Sequence, residues 1–138
     1  MYSPKDICGI LNISYETLKF YCKEGLVPNV HRDQNNRRVF DDRNLGWLKG
    51  LLCLRNCGMS HKDMKIYMEL CLKGKSSIPE RKAMLADTRD ALLVRIQELQ
   101  GALDYIDQKQ LFYDNILAGK EEYRSNLIDV TNDCMDIK

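Results

Sequence analysis

At 138 residues, 44% apolar and 30% charged with a net charge of +1, the chain has the composition of one ordinary globular domain plus an extension. No apolar run approaches the roughly 18 residues of a membrane span, and the opening Met-Tyr-Ser-Pro-Lys-Asp carries no secretory pattern. A soluble, cytoplasmic protein without membrane contact is expected. Residues 1–72 hold 11 Lys/Arg against 8 Asp/Glu and residues 73–138 hold 10 against 12. That asymmetry permits a local nucleic-acid patch without demanding one. None of the six cysteines forms a C-x-x-C pair, which argues against a disulfide framework. Cys53 and Cys57 are one helical turn apart, but no His or third Cys lies near in sequence, and His31 and His61 stand alone. Neither a metal nor another cofactor is expected.

Ser3-Pro4-Lys5-Asp6 caps a short first helix carrying Ile7, Ile10 and Leu11, and Asn12-Ile13 leaves a tight link to a second. Ser14 caps that second helix. Leu18, Tyr21 and Cys22 recur at i, i+3, i+4, so one face can be buried while Lys19 and Lys23 stay on another. Gly25 supplies the left-handed position that ends it, and Pro28 prevents its resumption. Two short helices, a tight turn and basic residues on the second make a helix-turn-helix candidate. An ordinary helical hairpin with a solvated basic face fits those residues equally well.

After Pro28 the character changes. Val30 and Val39-Phe40 are strand formers, and Asp33-Gln34-Asn35-Asn36 between them tolerates turns. This predicts a hairpin with Arg32, Arg37 and Arg38 near its tip, a wing able to reach phosphates beside a groove that the helix enters. Asp41 or Asp42 then caps a third helix running to about Cys57 and stopped at Gly58. Its bulky residues Leu45, Trp47, Leu48, Leu51, Leu52 and Leu54 share one half of the helical wheel. Gly46, Gly50, Cys53 and Cys57 make a strip of small side chains on the other. Each internal glycine costs a helix about 1 kcal/mol relative to alanine, so close approach of a second helix is the expected use of their smallness. Ser60 caps a fourth helix, in a capping-box relation to Asp63, whose buried residues are expected to be Met64, Ile66, Tyr67, Leu70 and Cys71.

Ser77-Ile78-Pro79-Glu80 reads as another capping box, opening a helix from Ile78 to Leu117 about 60 Å long at 1.5 Å per residue. Leu85, Arg89, Leu92, Ile96, Leu99, Leu103, Ile106, Gln110, Tyr113 and Leu117 alternate steps of four and three, and eight of these ten are apolar. That is the seam of a coiled coil. A helix of this length has no core of its own to lie on, and the simplest partner is a second copy. Arg89 and Gln110 at seam positions can fix register. Residues 120–138, with Cys134, are expected to be a short helix or a mostly disordered tail. The expected organisation is a head at 1–74, a coiled-coil dimerisation helix at 75–119 and a short tail at 120–138, mainly α with a small β-hairpin.

Helix-turn-helix, wing, two further helices and a long terminal coil, in that order, resemble the MerR family of transcriptional regulators. The resemblance is carried by Ser14, Thr17-Leu18-Lys19-Phe20-Tyr21, Glu24-Gly25-Leu26-Val27-Pro28, Arg32-Asp33, Asn35, Arg38, Phe40 and Leu54-Arg55-Asn56-Cys57-Gly58-Met59-Ser60. The sequence departs from the family pattern at Lys19 (usually Arg), Asn36 (usually the wing glycine), and Arg37 and Phe40 (usually tyrosines). The resemblance implies a winged helix-turn-helix fold and no enzymatic activity. It also implies a homodimer, through antiparallel coils, on a pseudo-palindromic double-stranded promoter. There it would bend and untwist the DNA to realign promoter elements for RNA polymerase, which it would reach only through the promoter. Ser14, Tyr15, Glu16, Thr17 and Lys19 are expected at the groove, and Tyr21, Lys23, Arg32, Arg37 and Arg38 on phosphates.

Metal-sensing relatives place paired cysteines around the coil, whereas residues 75–133 here contain none. Drug-binding relatives need a large C-terminal domain for which 120–138 leaves no room. A branch answering aldehydes and thiol-reactive electrophiles has a cysteine where Cys53 falls, making Cys53 the candidate sensor thiol. A small core residue is the plain alternative for it. A helical adaptor, dimerising through the coil without binding a promoter, is the alternative for the whole.

Overall fold

The computed structural model describes residues 1–130, and its elements begin where capping side chains allow. Helix α1 (Pro4–Leu11) opens on Ser3 and Asp6, each accepting the other's backbone N–H, and closes at Asn12 with φ 54°. Helix α2 (Tyr15–Lys23) opens on Ser14, whose hydroxyl accepts the Thr17 N–H at 3.1 Å. Gly25 at φ +72° turns the chain out of α2. Strands β1 (His31–Arg32) and β2 (Arg38–Val39) pair antiparallel, His31 facing Val39 and Arg32 facing Arg38. Asn36 holds the left-handed position of the hairpin at φ 60°. Helix α3 (Asp42–Asn56) is capped reciprocally by Asp41 and Asn44, and α4 (His61–Leu72) by Ser60. A 3-10 turn (Lys75–Ser77) leads into the 40-residue α5 (Ile78–Leu117).

The chain divides into two compact units, Met1–Leu92 and the part from Leu93 on. In the first, Ile7 from α1, Leu18 and Tyr21 from α2, Leu26, Phe40 after the hairpin, Leu48 and Leu51 from α3, and Met64 from α4 are all at most 1% exposed. Each such burial contributes about 1.5–3 kcal/mol, and that of Phe40 ties the end of the hairpin to the helices. In the second unit, Arg124 lies over the Phe112 ring, 4.6 Å from its centroid.

Two local expectations need correction. Ile66 is exposed, and Met68 is buried instead. In α4 the buried stripe runs through Met64 and Met68, one turn apart, which puts Ile66 roughly 200° round the wheel from Met64. Ser77 does not pair with Glu80; its hydroxyl turns back to the carbonyls of Leu70 and Gly74. Of the two forms expected for the tail, residues 120–130 do not take the helical one, and the rest of it, Cys134 included, lies outside the described residues.

Candidate nucleic-acid interface

Ser14 positions the start of α2. Its hydroxyl accepts the Thr17 N–H and lies 3.0 Å from the Thr17 hydroxyl, so these two side chains fix the first turn. That leaves Tyr15, Glu16 and Lys19 exposed along the front of the helix, with Lys23 one turn beyond Lys19. The hairpin stands beside them. Its tip is held by Asp33, whose carboxylate accepts the N–H groups of Asn35 and Arg37, both at 2.9 Å. Arg32 donates to the Asn36 carbonyl at 2.9 Å, so part of its guanidinium braces the tip.

Between α2 and the hairpin lies a cleft of about 410 Å³ lined by Tyr15, Lys19, Cys22, Arg32, Arg37 and Arg38. Among the described residues the one close pairing of a basic with an acidic side chain is His31 with Asp41, hydrogen-bonded at 2.9 Å at the base of the hairpin. The cations round the cleft therefore carry their charge without a carboxylate partner, which suits a surface meant for phosphates. The Asp41 carboxyl is held below its usual range by the Asn44 N–H and then by His31. Cys22, at the floor of the cleft, has its thiol pushed up by burial, while Arg38 and Arg32 pull it the other way.

Tyr21 is a correction. It was expected on a phosphate, but it is 1% exposed, and its enclosed hydroxyl has no hydrogen-bond partner among the described residues. The stripe that it shares with Leu18 packs into the core, and the ring is 6.1 Å from the rings of Phe20 and His61. It is a core residue of the head.

The small-residue strip of α3 is open at three of its four positions, with Cys57 half-buried. A methyl group added at Gly46 or Gly50 would meet nothing within 4 Å, and Cys53 is exposed. Along α5, Leu85, Ile96, Leu99, Leu103, Ile106, Tyr113 and Leu117 are all at least 40% exposed, and Leu92 is half-buried. No helix among the described residues is long and apolar enough to cross a membrane, and no three His, Cys, Asp or Glu side chains among them could hold a metal ion.

Sequence reasoning missed the ties that hold the interface in place. The Tyr2 and Phe40 backbones exchange hydrogen bonds at 2.7 and 2.8 Å, making the N-terminus a third partner of the hairpin. The Trp47 indole donates to the Leu26 carbonyl at 2.7 Å, and the Asn44 amide to that of Pro28 at 3.0 Å. These side chains of α3 thereby fix the exit from α2. A lone Trp and an N3 Asn give no sequence signal of which distant carbonyl they will meet.

Comparison with known proteins gives the arrangement its relatives. Residues 2–71 match the family model described as MerR HTH family regulatory protein. An HTH-type transcriptional regulator of Haemophilus influenzae is 42% identical over 117 residues, 85% of this chain and 87% of that one. The regulator AdhR of Bacillus subtilis is 34% identical over 77 residues, 56% of this chain and 55% of AdhR. Among solved structures, HiNmlR, a MerR family regulator lacking the sensor domain and bound to promoter DNA, is 39% identical with a TM-score of 0.73, covering 85% of this chain and 93% of its own. A regulator from Listeria monocytogenes is 28% identical with a TM-score of 0.78, over 86% and 90%.

Proposed function

We propose, on the premise that this chain belongs to the MerR family of DNA-binding transcriptional regulators, that it grips a pseudo-palindromic promoter as a homodimer and acts by changing the geometry of the DNA between its two heads. The family is one of regulators, not enzymes. The observation that carries the reading is the cleft of unpaired cations between α2 and the hairpin. Tyr15, Glu16 and Lys19 are assigned to base edges and the groove floor, with the Ser14–Thr17 turn at the phosphate that a helix N-terminus favours. Lys23, Arg32, Arg37 and Arg38 are assigned to phosphates. Bending and untwisting a site costs on the order of 1–6 kcal/mol, which those contacts must offset. HiNmlR, similar over most of both chains, was solved on promoter DNA, and this supports the same class of target here.

The homodimer is assigned to the exposed seam of α5, head at 1–74, coil at 75–119 and tail at 120–138. RNA polymerase is reached indirectly, through the reshaped promoter. Cys53, exposed on the open strip of α3, is the candidate thiol for an electrophile or redox signal. An adduct there would enlarge a surface otherwise made of small side chains. Gel-shift of the purified protein against its own upstream region is the test. A shift at low salt that fades steeply as salt rises is expected; a stable dimer giving no shift would instead support an adaptor. For Cys53, mass spectrometry after mild electrophile treatment should show it modified ahead of the other cysteines, and indiscriminate or absent labelling would end that assignment.

A further inference from the structure

The corner between α4 and α5 is built round one guanidinium. Gly74 sits at φ 85°, ψ −156°, a backbone region essentially closed to residues with a side chain. Its carbonyl accepts the Ser77 N–H at 3.2 Å, faces the Ser77 hydroxyl at 3.0 Å and accepts an N–H from the far end of Arg81. Ser77 is 2% exposed; its single hydroxyl proton lies between the carbonyls of Gly74 and Leu70, and its oxygen accepts the Arg81 Nε–H at 3.0 Å. Arg81 stands one turn into α5, and Leu70 lies in the last turn of α4. The fork of Arg81 thus reaches the loop carbonyl directly and, through one buried hydroxyl, the end of α4. No carboxylate among the described residues pairs with it.

Tyr67 of α4 stacks on Trp47 of α3, ring planes 11° apart and centroids 6.4 Å. The positive charge of Arg81 favours the ionised form of the Tyr67 phenol, although burial, the larger effect, and Cys71 push that pKa up. All of these residues belong to the unit Met1–Leu92.

We propose that Arg81 is the positioning residue that sets the direction in which α5 leaves the head, and through it the separation of the two DNA half-sites that a dimer accepts. The inference rests on the homodimeric promoter-binding reading above. Its physical basis is leverage. The stretch of α5 inside this unit, Ile78 to Leu92, is about 22 Å long, so a tilt of about 15° at its base moves Leu92 by about 6 Å. DNA advances about 3.4 Å per base pair, so that displacement corresponds to nearly two base pairs. Loosening the corner lets the heads take up several separations; tightening it commits them to one.

The test uses the full-length protein on duplexes carrying a site that the wild type selects from random DNA, with the half-sites moved closer or further apart by one and two base pairs. The wild type is expected to bind one separation at least about tenfold better than its neighbours, the penalty of deforming a mismatched site. Arg81→Ala is expected to flatten that preference to within about threefold while still dimerising and still binding an isolated half-site as the wild type does. Arg81→Lys, which can reach one carbonyl but has no fork, should fall between them. Should the alanine variant fail to fold, Ser77→Ala and Arg81→Lys carry the same comparison. A variant that binds every duplex more weakly by one common factor, with the preferred separation unchanged, would overturn the proposal and leave Arg81 a stabilising residue only. A wild type that does not dimerise, or binds all separations alike, would overturn the promoter-clamp reading and this one with it.

Discussion

Arg37 and Arg38 present guanidinium groups that no carboxylate among the described residues neutralises, and such groups exchange their hydration readily for phosphate. Arg38→Ala is expected to weaken binding to every DNA sequence alike and to make log Kd less steep in log salt by about 0.9 per lost contact in each head. An unchanged slope in a salt titration would remove Arg38 from the phosphate set. Tyr21 behaves oppositely. An enclosed hydroxyl costs on the order of 1–3 kcal/mol when unpaired, and that of Tyr21 has no partner among the described residues, so Tyr21→Phe should raise the urea midpoint, by up to about 1 kcal/mol of stability, and leave the salt slope alone. A loss of DNA affinity in that variant would return Tyr21 to the interface. The spacing of Leu18 and Tyr21 already said that both face inward; the phosphate role came only from the family resemblance, and the packing of α2 on the core corrects it.

At the scale of elements, α3 shows how far a helical wheel can be trusted. Leu48 and Leu51 are buried as its apolar half predicts. On the other half, a methyl group added at Gly46 or Gly50 would meet nothing within 4 Å among the described residues, so packing within the head does not account for those two glycines. Gly50→Ala separates the cases. In a helix facing solvent it would stabilise by about 1 kcal/mol. Under a closely packed partner helix it overpacks the contact at about 1–3 kcal/mol, so the dimer dissociation constant should rise about tenfold or more, measured by sedimentation. A more stable protein with unchanged dimerisation would mean the strip faces water. The same limit appears at Ser77, where a sequence that satisfies a capping box serves a tertiary corner instead: its hydroxyl donates to the carbonyls of Leu70 and Gly74, and its oxygen accepts from the Arg81 guanidinium.

For the whole molecule, the exposed apolar seam of α5 is the strongest reason to expect two copies. Leu99, 67% exposed, sits mid-seam, and a charge there would have to be buried against the partner. Leu99→Glu is expected to give monomers in sedimentation and to cut affinity for a two-half-site duplex by about 10²–10⁴, the avidity of the second head. A dimer that persists would place the contact elsewhere. The elements, most of their caps and the hairpin were legible in the sequence because each depends on neighbours within a few residues, as Ser14 does on Thr17 and Asp33 on Arg37. What the tertiary structure alone decided are the long-range ties: Trp47 on the Leu26 carbonyl, Tyr2 against Phe40, and Arg81 on Gly74 by way of a corner no local rule describes. A donor's partner is set by which unpaired carbonyl the folded backbone brings within about 3 Å, and spacing along a chain carries no record of that distance.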